Sequence, residues 1–443
     1  MLDPLLQPML PLVSRLAPTA AAAAWSLLAA AWPWIVFPLV ALWRVRGSRS
    51  LADVSPTSPA AAPLVSVIVP ARDEARSIER CLRSLIATRY PHVEFVVVDD
   101  HSSDGTGDLA RRASEGDPRL RVVVPPPLPD GWMGKQWACA TGAELARGAI
   151  LCFADADTIH APDLLPRAVN AMRTDGAALL SVVGRQELGG FWERAVQPLV
   201  FAVLAARFGG TERVTRSPRV EDKIANGQCL LVTRAAYDAA GGHAAVRDRV
   251  SEDLVLAQRV FAAAGHDGPR RVSLILGGDQ LATRMYRSLG ELIRGWRKNM
   301  YAGGAESTPP RSLARLIFPL MILFPPAMLL LPPALLALFS LGVVGADTAR
   351  WAAVAALSTL AFAVVPYRRA RLSPLWALAY PLGASVLLVI VVQAIARGRR
   401  VSWKGRAYGV SSSSDVAGDR GPLAPDDGGA HPATARAAAV GDA

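Results

Sequence analysis

Three carboxylate-rich motifs follow apolar runs in this chain, and their spacing suits a charged, oxygen-rich ligand. Val69-Pro70-Ala71-Arg72-Asp73-Glu74 is the first, and Val98-Asp99-Asp100-His101-Ser102-Ser103-Asp104-Gly105-Thr106 the second. Paired carboxylates at a strand end accept hydrogen bonds from the imide N–H of a pyrimidine or from ribose hydroxyls. Equally, Ser103 or Asp104 can cap the helix that follows. The third, Phe153-Ala154-Asp155-Ala156-Asp157, places two carboxylates at the end of a hydrophobic run. They are costly there unless a cation neutralises them. Carboxylates with phosphate oxygens are the ligand set that Mg2+ or Mn2+ prefers.

Three further motifs widen the constellation. Lys135, in Gly131-Trp-Met-Gly-Lys-Gln-Trp-Ala, stands between a glycine-rich turn and a helical start. It is a phosphate ligand or a surface lysine. Ser251-Glu252-Asp253 opens a helical stretch, where the acidic pair serves the helix dipole or supplies a general base. Arg294-Gly295-Trp296-Arg297-Lys298 comes just before a strongly apolar region.

These side chains need a scaffold that brings strand ends together. Leu64–Pro70, Glu94–Asp99, Arg119–Val124 and Ala149–Ala154 are β-branched or apolar runs that read as buried strands, and Ser77–Thr88 and Leu254–Ala264 carry helical spacing. Alternating strands and helices predict an α/β domain with a doubly wound, mixed or parallel sheet, which binds ligands at the carboxyl ends of its strands. No G-x-G-x-x-G follows the first strand, which argues against a nicotinamide-dependent oxidoreductase.

Composition predicts a membrane. Only 19% of the 443 residues are charged, and mean hydropathy is +0.26. The four cysteines stand singly, as expected of reduced thiols and not of a zinc module or disulfide framework. The net charge of +11 raises nucleic acid as a partner, but the basic residues flank apolar runs: Arg44, Arg46 and Arg49 after one, Arg311 and Arg315 before another, Arg397, Arg399 and Arg400 after a third. That distribution marks the cytoplasmic face of a bilayer, or else a solvated basic surface, and argues against nucleic acid. The expected order is an N-terminal anchor over 1–49 with its span at about 19–43, a linker over 50–63, a cytosolic domain over 64–304, a membrane domain of three or four spans over 311–400, and a disordered tail over 411–443. Arg368, Arg369 and Arg371 place one end of the last span inside, and the basic residues after Ala396 place its other end inside too. A kinked or re-entrant segment is therefore expected. Ala195–Phe208 is too short to span; it is an interfacial helix at the lipid entry or a buried core helix.

Taken together, V-P-A-R-D-E, V-D-D-H-S-S-D-G-T, G-K-Q-W-A, A-D-A-D, S-E-D and R-G-W resemble the membrane-bound family 2 glycosyltransferases. G-W-M-G-K-Q-W-A, G-G-H and S-E-D-L-V-L-A resemble the carotenoid (diaponeurosporenoate-type) and hopanoid-associated members, as does Trp403-Lys-Gly-Arg406-Ala-Tyr408. The resemblance implies a GT-A domain in the cell membrane, multi-pass, with its catalytic side cytoplasmic. It implies inverting transfer of a hexose from a nucleotide donor, UDP-hexose foremost, to a polyisoprenoid lipid, with Mg2+ or Mn2+. By matching position, Asp99 binds the base, Asp155 faces the ribose or sugar, Asp157 and Asp155 hold the metal, and Asp253 with Glu252 supplies the catalytic base. Pro70, Asp73, Glu74, Asp100, Lys135, Arg294 and Trp296 complete the donor site. Glu291 and Gly295 break the family's Q-x-x-R-W pattern, which argues against a processive polysaccharide synthase. A non-catalytic membrane module of the same fold is the other class considered.

Overall fold

The computed structural model describes residues 31–58, 62–114, 116–263, 272–309, 311–397, 400–403 and 406–409. The expected tail at 411–443, and the part of the expected anchor before residue 31, lie outside them.

Eight strands form one sheet: β1 (Val65–Ala71), β2 (Val93–Asp99), β3 (Leu120–Val123), β4 (Ile150–Phe153), β5 (Thr158–His160), β6 (Leu179–Gln186), β7 (Leu230–Thr233) and β8 (Val272–Thr283), in the order β3-β2-β1-β4-β7-β6-β8-β5. β3, β2, β1 and β4 are parallel, whereas β7 runs antiparallel to both β4 and β6. The sheet is thus mixed. Both faces of β1 and β2 are covered, which explains their unbroken apolar runs. Val65, Val67, Val69, Phe95 and Val97 enter one core layer. Ile68, Val96, Val98, Leu151 and Phe153 enter the other. In β1 and β2 the period of two divides neighbouring residues between the two layers. Ala71 pairs with Asp99 across β1 and β2, so the loops after these strands lie side by side.

The segment expected as a linker packs on this domain. Leu51 is fully buried, Thr57 N–H donates to the Pro166 carbonyl (3.0 Å), and Arg49, just before the segment, pairs with Asp175 (2.8 Å). Leu51 enters the core and Val54 packs against it, which a Pro- and Ser-rich composition does not advertise.

Among the described residues, three helical stretches are long and apolar enough to cross a membrane: Phe318–Ser340, Ala346–Arg369 and Pro374–Arg397. The first holds Pro325, Pro326, Pro332 and Pro333 without ending. The helix Tyr380–Arg397 leans on Phe318–Ser340, on Leu289–Glu306 and on Phe191–Phe208. The last of these includes the segment Ala195–Phe208. Its buried half is fixed to the apolar helices, where Tyr367 Oη–H donates to the Ala195 carbonyl (2.8 Å). Trp32–Arg44 packs beside them, and Trp34 Nε1–H donates to the Met328 carbonyl (2.7 Å). Arg371, at the turn before Pro374, forms a two-pronged ion pair with Asp279 of β8 (2.7 and 2.9 Å). After Arg397 the chain forms a hairpin, β9 (Arg400–Trp403) with β10 (Arg406–Gly409).

Candidate active site

The loops after β1 and β2 brace each other. Asp73 sits at a left-handed φ of 51°, and its carboxylate accepts from Ser103 N–H (2.9 Å) and Oγ–H (3.2 Å). Its own N–H donates to Ser102 Oγ (3.0 Å), Glu74 N–H to Thr106 Oγ1 (2.7 Å), and Ala75 N–H to Asp104 (3.0 Å). Asp104 also accepts from Thr106 N–H at the start of the next helix (3.1 Å), but the N-cap of that helix is Gly105, so neither Ser103 nor Asp104 holds the capping position. A left-handed non-glycine residue held by this many bonds is a fixed feature of the loop.

The adjacent pair Asp99 and Asp100 divide their work. Asp99 accepts from Ser102 N–H (3.1 Å) and braces its own turn. Asp100 is buried in the wall of a cavity, with the Arg72 guanidinium 3.6 Å away and that of Arg406 at 2.8 Å. Pro70, Arg72, Asp73 and Glu74 line the same cavity.

Its acidic centre lies at the end of β4. Lys135 Nζ bridges Asp155 (2.8 Å) and Glu252 (2.7 Å). Burial pulls the ammonium's pKa down, but Asp155, Glu252 and Asp253 outweigh it and hold the value well above the ordinary one. Lys135 is therefore no isolated surface lysine. Asp253 accepts from Gly227 N–H and Leu254 N–H (2.8 Å each) at the start of the helix Glu252–Ala263. Burial, then the Glu252 charge, push its carboxyl up to about 6. Burial with the charges of Asp155 and Glu74 pushes Asp157 up to about 7.

Asp157 is the test of whether a divalent cation fits. A half-buried carboxyl crowded by two others, with one shared lysine to offset them, is a site short of positive charge. Mg2+ is ordinarily held by one or two carboxylates and completed by phosphate oxygens. Asp155 and Asp157 fit that pattern. Among the described residues, no three or more His, Cys, Asp or Glu side chains are grouped to hold a metal alone.

The helix Leu289–Glu306 closes the site. Arg294, Trp296 and Lys298 all line the cavity. A Cβ at Gly295 would overlap the Tyr286 ring, which packs edge-on to Trp296. That explains the glycine between Arg and Trp. Gly295→Ala is expected to lower the thermal unfolding midpoint, because overpacking costs about 1–3 kcal/mol whereas the helix-propensity gain is about 1. An unchanged or raised midpoint would show that Tyr286 yields freely.

Sequence reasoning missed Arg72, Tyr286 and Lys298 as site residues. Lys298 is half-buried beside the acidic centre; loss of water around it lowers its pKa, with the carboxylates of Glu252, Asp253 and Asp155 opposing and Lys135 adding. Its place one helical turn beyond Arg294 was the available signal.

The cavity holds about 1950 Å³. From Asp155, Asp157 and Asp253 it continues between the apolar helices, where Phe37, Phe201, Phe324, Met328 and Phe362 form its wall.

Residues 66–240 match the family model for glycosyl transferase family 2. The chain carries a family 2 glycosyltransferase domain. The glycosyltransferase is 28% identical over 356 residues to the 4,4'-diaponeurosporenoate glycosyltransferase of Staphylococcus aureus strain MRSA252, covering 78% of this chain and 88% of the relative. It is 36% identical over 120 residues to glycosyltransferase AglE of Haloferax volcanii, a match that takes in 27% of this chain and spans 38% of AglE. Among solved structures, the mannosyltransferase PcManGT from Pyrobaculum calidifontis, in complex with GDP-Man and Mn2+, aligns with a TM-score of 0.53 at 23% identity, over 85% of this chain and 98% of that one. The mixed sheet is thus a GT-A fold, as the motifs predict.

Proposed function

We propose that this enzyme moves a hexose from a nucleoside-diphosphate donor, UDP-hexose foremost, to a polyisoprenoid lipid in the cell membrane, inverting the anomeric carbon. The continuity of the cavity carries the reading: one space joins the acidic centre to an apolar wall between helices long enough to meet lipid. A soluble acceptor has no use for that second half. The S. aureus relative, named for 4,4'-diaponeurosporenoate, supports the same acceptor class.

In this reading Asp100, on the cavity wall, takes the base-binding role that motif position assigns to Asp99. Asp155 and Asp157 hold Mg2+ or Mn2+, which when bound offsets the charge developing on the departing diphosphate. Lys135 holds Asp155 and Glu252 in place. Asp253 takes the proton of the acceptor, and Arg294 and Trp296 wall the sugar. The catalytic domain faces the cytoplasm, where the basic residues flanking the apolar helices belong.

Purified full-length protein with Mn2+ and a nucleotide sugar should release nucleoside diphosphate faster when a polyisoprenoid alcohol is added. Release indifferent to lipid would sink the acceptor half of the proposal. Leu199 also lines the cavity but lies buried with Tyr367 and Tyr380, so a charge there would test packing together with lipid entry. Ala202 is the more informative position, since it lines the cavity and is only half-buried. Ala202→Trp is expected to depress transfer to lipid while sparing hydrolysis of the donor by water. Equal loss of both would make this helix a structural element alone.

A further inference from the structure

The hairpin β9–β10 carries Trp403-Lys404-Gly405-Arg406-Ala407-Tyr408, a motif that the reaction above does not use. Its Arg406 reaches back across the whole chain to the nucleotide end of the cavity. Arg406 Nη1 lies 2.8 Å from Asp100 Oδ2, and Nη2 lies 3.4 Å from Oδ1. Arg72 approaches the same residue from the other loop, donating to the Asp100 carbonyl (2.6 Å). Gly134, first residue of the helix Gly134–Leu145, completes the cluster: a Cβ there would stand 2.5 Å from Arg406 Nη1 and 2.6 Å from Asp100 Oδ2. The G-W-M-G-K turn, the D-D pair and the C-terminal motif thus converge on one point. Arg406 also lines the cavity.

We propose that Arg406 is a donor-binding residue, a guanidinium that the hairpin delivers to close the nucleotide end of the cavity on a nucleoside diphosphate. Two guanidiniums bracket Asp100 at that end, and planar guanidinium forks match phosphate oxygens two at a time. The acidic centre beyond needs a cation before it can face a diphosphate, so Arg72 and Arg406 are the protein's own positive charge on the nucleotide side. The inference rests on the donor-site reading above.

The test uses full-length protein in detergent with Mn2+, titrated by calorimetry with UDP, GDP, ADP and dTDP, together with donor kinetics. Arg406→Ala is expected to weaken the diphosphate that the wild type binds by about tenfold or more, the loss of one charge-assisted contact. Donor KM rises with it and kcat changes less, while Arg406→Lys recovers part of the affinity. Gly134→Ala, which wedges a methyl group into the pair, should reproduce the weakening. Wild-type binding with unchanged or tighter binding by Arg406→Ala overturns this inference alone. Failure of the wild type to bind any of the four overturns the donor reading, and this one with it.

Discussion

Asp157→Asn should leave a folded protein with turnover reduced roughly 10³-fold, the several kcal/mol that a metal supplies to a departing diphosphate. EDTA should do the same to the wild type, reversibly with Mn2+. Activity indifferent to EDTA would remove the metal from the mechanism. A second readout separates this from simple damage. The Asp157 carboxyl is raised to about 7 from 3.8 because burial, Asp155 and Glu74 disfavour its charge. A raised acid favours folding below its unfolded value, and the advantage is lost as pH rises through the folded value. The metal-free wild type should therefore lose thermal stability between about pH 4 and pH 7. Asp157→Asn, which removes that charge, should be the more stable of the two at pH 8 without metal, and Mn2+ should reverse the ranking. A variant less stable than the metal-free wild type at pH 8 would show that Asp157 serves the fold first.

The second large effect is at Asp253. An alcohol needs a base as its oxygen attacks, and removing a general base costs about 10²–10⁴-fold. Asp253→Asn should lose that much with an alcohol acceptor. A base must be ionised to act, so wild-type kcat/KM should fall about tenfold per pH unit below about 6, the value to which burial and Glu252 raise this carboxyl. The variant should lack that limb. A carboxylic acid acceptor arrives already ionised and gains little from a base. Asp253→Asn with most of its activity would thus reject the base role and point to an ester-forming enzyme.

Much of this was legible in the residues themselves. The β-branched runs at Val65 and Val93 place two loops side by side, and the order of the motifs along the chain names the fold. Less legible is which of two adjacent carboxylates faces a cavity. Asp99 and Asp100 are equivalent in sequence, and only the turn of the backbone after β2 gives one to Ser102 and the other to the cavity wall. Arg406 is harder still, since 306 residues separate it from Asp100 and no local pattern reports so distant a contact. The segment around Leu51 shows the same limit on a smaller scale: composition marked a linker, and Leu51 with backbone bonds such as Thr57 to Pro166 docks it.

The ion pairs of Arg371 and Arg406 bear on how the chain threads a bilayer. Arg371 precedes the last apolar helix and holds Asp279; Arg406 follows it and holds Asp100. Both carboxylates belong to the catalytic domain, so both ends of that helix are moored to one side. Crossing number obeys parity: a segment that leaves and rejoins the same side crosses an even number of times, or not at all. A stretch of 24 residues cannot cross twice, and a single crossing would put the two ion pairs on opposite sides; keeping both pairs requires the re-entrant kind of segment that arginines at its two ends imply.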